Sequence, residues 1–156
     1  MNLRKNKSFK LRPMTEDDLT QVMRIELRSF PSPWSTLAYA MELRHNADAS
    51  YLVLETQQDG ILGYIGSWFL DDSAQIIRVA IAQEHRGQGW ARRLVDAACK
   101  TSIEKGIFEI SLEVRESNTA AISCYTNMGF CEVDRLSNYY SHPCEDAVCM
   151  LKLLKE

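Results

Sequence analysis

Apolar and polar positions follow two rhythms along this chain, one of period two and one near 3.6, and each change of rhythm marks a new element. Residues 8–12 suit a short first strand. Thr15-Glu-Asp-Asp18 reads as a capping box, and Leu19, Val22, Met23 and Ile25 follow it at helical spacing. Prolines at 31 and 33, within Phe30-Pro-Ser-Pro-Trp34, must end that helix, since proline lacks an N–H and disfavours helical backbone before it. Ser35 can cap a second helix running to about Asn46. Tyr51 to Thr56 and Ile61 to Leu70 read as strands joined at Asp59-Gly60, a hairpin signal. A strand over 75–82 and a helix over 89–105 come next, then an alternating strand from Phe108 to Arg115. Asn118 caps a helix to Met128, which Gly129 ends. Phe130 to Asp134 and Ala147 to Leu154 look like closing strands around a polar loop that carries Tyr139 and Tyr140.

The expected order is β α α β β β α β α β β, a mixed α+β layout. A doubly wound parallel sheet needs a helix after nearly every strand, and 51–82 has none. No linker, repeat or low-complexity stretch interrupts the 156 residues, which suits one domain over 1–156.

Composition narrows the classes. With 46% hydrophobic and 25% charged residues the chain reads as globular, and a net charge of −3 argues against broad nucleic-acid binding. No apolar run approaches the roughly 20 residues of a membrane helix, and the basic start, MNLRKNKSFKLRP, lacks the apolar core of a secretory signal. Five cysteines without CxxC spacing suit a reducing cytoplasm better than a disulfide framework, and Cys124 and Cys131 read as small buried packers. The three histidines show no metal-ligand spacing, so no metal is expected.

The segment with most chemistry runs from Gln75 to Ala98. A β-branched strand is followed by Arg86-Gly87-Gln88-Gly89-Trp90-Ala91, which opens straight into an apolar-periodic helix. Two glycines allow a tight curl, and the helix start offers N–H groups with no internal partner, a ready anion site. It is not a Walker loop, which needs Gly-Lys-Ser/Thr, nor a dinucleotide fingerprint, whose third glycine is replaced by Arg92. An ordinary strand–turn–helix connection would also accommodate these glycines.

This Arg/Gln-x-x-Gly-x-Gly/Ala pattern resembles the pyrophosphate loop of the GNAT acetyltransferase superfamily. Downstream, Leu112-Glu-Val-Arg-Glu-Ser-Asn118, then Ala120, Ala121, Tyr125 and Gly129-Phe130, is similar to the RimI type of protein N-terminal acetyltransferases. The likeness extends from Leu11 to Met150 and includes Phe30, Pro31, Trp34, Ser35, Tyr139-Tyr140 and Glu145-Asp146-Ala147. It implies the GNAT fold, a mostly antiparallel sheet of about seven strands flanked by about four helices. It also implies direct acetyl transfer from acetyl-CoA to a protein N-terminus, for this type the alanine of a small-subunit ribosomal protein.

On that resemblance Glu113 is the general base and Tyr125 the general acid for the CoA thiolate. Val79, Ala80 and Ile81 correspond to a bulged strand whose N–H groups polarise the carbonyl. Arg86, Gly87, Gln88, Gly89, Trp90, Ala91, Arg92 and Asn118 would meet the cofactor, while Phe30, Pro31, Tyr139 and Tyr140 would wall the peptide. Each residue also has an ordinary reading. Spacing alone leaves Glu113 equally suited to an outward strand position, Tyr125 to a helix core, and Asn118 to a helix cap. The arginines could be solvated helix charges, and the tyrosine pair could cover a sheet edge. The chemistry favours a terminus. An α-amine has pKa about 7.7–8.0 against about 10.4 for lysine, so a single modest base suffices. Rivals are a GNAT enzyme for lysine side chains or a small amine, and an acyl-CoA sensor without turnover. The sensor would need neither Glu113 nor Tyr125. Phe-Pro-Ser-Pro-Trp carries two more residues than the Phe-Pro-Trp of some RimI-type sequences, which would reshape the substrate loop.

Overall fold

The structure, a computed structural model, describes residues 8–155. The first seven residues of the basic start, and the last residue of the 1–156 domain, lie outside them.

Strand β1 (Phe9–Pro13) leads through a single 3-10 turn into helix α1 (Leu19–Ser29). The Thr15 N–H donates to the Asp18 carboxylate at 2.8 Å, the reciprocal half of the capping box. The prolines end α1 as expected, and helix α2 (Thr36–His45) begins where the Ser35 Oγ accepts from the Ala38 N–H at 3.0 Å. Strands β2 (Ala49–Thr56), β3 (Gly60–Leu70) and β4 (Ser73–Ile81) form an antiparallel meander. Helix α3 (Trp90–Glu104), strand β5 (Glu109–Arg115), helix α4 (Thr119–Asn127) and strands β6 (Cys131–Tyr140) and β7 (Glu145–Leu153) complete the order.

The seven strands lie in one open sheet in the order β1-β2-β3-β4-β5-β7-β6. Every neighbouring pair is antiparallel except β4 with β5, which is parallel. Alternation along the strands feeds two cores, one on each face. Val53, Tyr64 and Ala80 join Val22 and Ile25 of α1 and Tyr39 of α2. Leu54, Ile65, Ile110 and Leu112 join Leu94 and Val95 of α3 and Tyr125 of α4.

Strand β6 is longer than the sequence pattern suggested, and it absorbs the tyrosine pair that was expected in a loop. It lies at the sheet edge, where its ladder bonds to β7 hold it although the side chains of 131–135 are exposed. Without a buried face there is no alternation to read. For the same reason Cys131 is exposed rather than a buried packer, while Cys124 is half-buried.

Candidate active site

The parallel pair β4–β5 is joined only at Ala74–Ile110 and Gln75–Ser111. Beyond those residues the strands diverge, and a cleft of about 630 Å³ opens between Ile76–Val79 and Leu112–Arg115. The register between β3 and β4 slips here: Gly66 pairs with Arg78 and Ser67 with Ile76, so Ile77 is the extra residue of a β-bulge. The bulge thus precedes the expected Val79–Ile81 segment. Val79 lines the cleft, whereas Ala80 and Ile81 are buried and pair with Tyr64 and Gly63. A run of β-branched residues has no local mark of where a bulge falls.

Glu113 is half-buried on the cleft side of β5. Its carboxylate accepts from the Tyr139 hydroxyl at 2.8 Å, an interaction that holds the phenol above its ordinary pKa. Leu112 and Val114 point into the core, as alternation requires. Tyr125 reaches the cleft from α4, with its ring packed edge-on against Phe130 at 5.7 Å and only 8% of the residue exposed. Burial raises its pKa, so the phenol keeps its proton at neutral pH. Its hydroxyl makes no hydrogen bond with another described residue, and no buried side-chain polar atom among them is left unsatisfied. The Tyr125 hydroxyl is therefore turned to the cleft. The Asn118 side-chain Oδ1 accepts from the Ala121 N–H at 3.2 Å, so Asn118 caps α4 and also lines the cleft.

Tyr139 and Tyr140 both line the cleft, which strict alternation would forbid. A second irregularity resolves this. Asn138 has a positive φ of 54°, and the register between β6 and β7 shifts between Leu136 and Tyr140. The two rings meet edge-on at 5.0 Å, and burial pushes the Tyr140 phenol up to about 12. The Arg115 guanidinium covers Tyr140 at 4.4 Å and pairs with Glu145 at 3.3 Å.

Phe30 and Pro31, with Trp34, form the opposite wall. Sequence reasoning missed what holds this wall. The Arg78 guanidinium lies 3.9 Å from the Phe30 ring centre and donates to Glu26, which is fully buried. A signal was present. Glu26 sits on the same helical face as Leu19, Val22 and Ile25, where a solvated carboxylate does not belong. Trp68 was missed as well, since nothing in its strand pattern marks it as a cleft residue.

The glycine loop lies beyond the end of β4, apart from this cleft. Gly87 and Gly89 have φ of 75° and 86°, and a Cβ built on either would meet nothing within 4 Å. The left-handed backbone needs glycine there, and the open space above it suits a phosphate cradled by the α3 N–H groups. Arg86 is turned back: its Nε donates to the Ile81 carbonyl at 2.9 Å and a terminal nitrogen to Ser29 Oγ at 3.0 Å. Arg86 therefore ties the loop to β4 and α1. The Trp90 indole N–H donates to the Gln88 side chain at 3.2 Å, its ring packs edge-on against Phe9, Ala91 is half-buried and Arg92 is exposed. Among the described residues, no group of three or more His, Cys, Asp or Glu side chains could hold a metal, and no helix is long and apolar enough to cross a membrane.

Known proteins share this architecture. The profile of the Acetyltransferase (GNAT) family matches residues 19–130. A Bacillus subtilis protein, provisionally assigned as a ribosomal protein bS18-alanine N-acetyltransferase, is 40% identical over 147 residues, 94% of this chain and 96% of its own. The ribosomal protein bS18-alanine N-acetyltransferase of Haemophilus ducreyi is 33% identical, covering 83% of this chain and 88% of its own. In three dimensions the crystal structure of the ribosomal-protein-S18-alanine N-acetyltransferase from Escherichia coli superposes with a TM-score of 0.85 at 26% identity, over 96% of each chain. With its divergent β4–β5 pair, its left-handed glycine loop, the family profile over 19–130 and a relative 40% identical over 94% of its length, the chain belongs to the GNAT acetyltransferase family.

Proposed function

We propose that this enzyme transfers acetyl from acetyl-CoA to the N-terminal α-amine of a protein, with the N-terminal alanine of ribosomal protein bS18 as the favoured substrate. The names of the relatives support that substrate. The observation that carries the reading is one cleft lined by Glu113 and Tyr125 together with Phe30, Pro31, Tyr139 and Tyr140. A modified ribosomal protein also implies a cytoplasmic enzyme.

Acetyl-CoA supplies the acetyl group as a thioester. Glu113 takes up the proton that the amine releases, directly or through one water. The arriving amine competes with the Tyr139 hydroxyl for the Glu113 carboxylate, which keeps the base oriented until substrate arrives. Tyr125 donates its phenolic proton toward the departing sulfur, and burial keeps that proton in place at neutral pH. Backbone N–H groups beside Val79 donate toward the acetyl oxygen, where charge develops. Gly87 to Arg92 cradle the diphosphate, and Asn118 offers its amide group to the cofactor while capping α4. The aromatic walls suit a short apolar first residue on an extended peptide.

The test is a pair of peptides. One begins with alanine and a free amine, and its partner has a blocked terminus and an internal lysine. Mass spectrometry should place the acetyl group on the free terminus only. Efficient lysine modification of the blocked peptide, with none at the free terminus, would make this a lysine acetyltransferase. No transfer to either peptide or to small amines, despite tight acetyl-CoA binding, would favour a sensor.

A further inference from the structure

Glu26 is 0% exposed, and its two oxygens accept from five donors. Oε1 takes the hydroxyls of Tyr39 and Tyr64 at 2.6 and 2.7 Å. Oε2 takes the Trp34 N–H at 2.8 Å and two guanidinium nitrogens of Arg78 at 3.1 and 2.6 Å. A buried ion pair is weak evidence of stability, because apolar side chains of similar size commonly do as well or better. What this pair does is hold a planar cation in place. From β4, Arg78 reaches across to the chain between α1 and α2, donating to the Ser32 carbonyl at 3.2 Å. Its guanidinium carbon Cζ lies over the Phe30 ring, 3.9 Å from the ring centre, and 5.2 Å from that of Trp34. The Phe30–Trp34 segment contains two prolines and no helix or strand, so these contacts position it together with the packing of the Trp34 ring on Tyr39 and Tyr51. Arg78 also adjoins the bulged Ile77 and is followed by Val79, the strand segment that lines the cleft.

Resting on the reading of this cleft as the acceptor site, we infer that Arg78 is a positioning residue: anchored by Glu26, it sets the Phe30–Trp34 wall and thereby the selectivity for the acceptor's first side chain. The opposite charges of the pair offset each other, so the wall adds no net charge to the cleft and suits uncharged first residues. Lysine cannot replace arginine here, because its ammonium lacks both the flat face that covers Phe30 and the fork that grips Glu26.

The experiment compares wild type, Arg78→Lys, Phe30→Leu and the double variant, measuring kcat and KM separately for acetyl-CoA and for peptides beginning with Ala or Met. Arg78→Lys should raise the acceptor KM about tenfold and narrow the Ala-over-Met preference, since apolar pockets discriminate by roughly 10- to 200-fold. The acetyl-CoA KM should stay within about twofold, since uniform binding of the donor is untouched. Phe30→Leu leaves the Glu26–Arg78 pair in place, so it tests the wall even if Arg78→Lys folds poorly. The double variant should show less than the product of the two single effects. Unchanged acceptor KM and selectivity in either folded single variant would overturn the inference. Equal rises in both KM values, or a strictly multiplicative double variant, would do the same. If wild type instead prefers lysine or a small amine, the N-terminal reading falls, and the same KM comparison with that acceptor still decides the role of Arg78.

Discussion

Replacing Tyr125 by phenylalanine removes one oxygen and little else. The hydroxyl has no hydrogen-bond partner among the described residues, so no group is stranded when it goes. The ring keeps its edge-on contact with Phe130 at 5.7 Å and its place in the core. Stability should therefore change by no more than about 1 kcal/mol, since no large cavity and no unpaired buried group is created. Catalysis should respond very differently. A positioned general acid contributes about 100- to 10,000-fold, which at about 1.36 kcal/mol per tenfold is roughly 3–5 kcal/mol of barrier. The assay follows free CoA thiol under saturating acetyl-CoA and peptide, with single-turnover kinetics to establish that chemistry limits the rate. Calorimetry of CoA binding should show an affinity near that of wild type. The pH profile gives a second check. Because burial raises the phenol above its ordinary pKa of about 10, wild-type kcat should show no fall from Tyr125 ionisation below that pH. A folded Tyr125→Phe enzyme within about threefold of wild-type kcat, with chemistry limiting, would refute the acid assignment.

Further outcomes follow from other parts of the molecule. Glu113→Gln keeps a hydrogen-bond acceptor for Tyr139 but cannot take a proton, so kcat/KM at pH 7 should fall by about 100-fold or more; an unchanged value in a folded variant would remove Glu113 as base. Gly89→Val places a β-branched residue at φ 86° and should weaken CoA binding at least about tenfold by calorimetry through a reshaped loop, with the fold kept. Gly66→Ala sets a Cβ 2.3 Å from the ring of Tyr51, which cannot yield because its hydroxyl is bonded to Glu42 at 2.7 Å. That overpacking should lower stability by about 1–3 kcal/mol, seen as a drop of several degrees in Tm. Hydrogen bonds from Arg12 hold the carboxyls of Asp18 and Glu55 below their ordinary pKa values. Their contribution is present above the unfolded values of about 3.9 and 4.3 and is lost as pH falls through the lower folded values. Wild-type Tm should therefore drop more steeply below about pH 4 than that of Arg12→Met, and parallel curves would contradict the pairing.

The order of elements was legible in the sequence because its causes are local. Prolines at 31 and 33, the caps Ser35 and Asn118, and the two hydrophobic periods act within a few residues, and the structure keeps the expected order, with β6 the strand that runs well past where its pattern points. The left-handed turn of the glycine loop was legible for the same reason, since backbone handedness at Gly87 and Gly89 is a property of single residues. The cleft is another matter. Which face Glu113 presents, and whether Tyr139 and Tyr140 can share one side, depends on where β4 parts from β5 and where the backbone slips at Ile77 and Asn138. Those positions are set by packing between strands far apart in the chain. The same holds for Arg78 and Glu26, 52 residues apart, whose charges tolerate burial only because the folded sheet brings them together with Tyr39, Tyr64 and Trp34. Periodicity records which residues leave water; only the tertiary structure decides which of them meet.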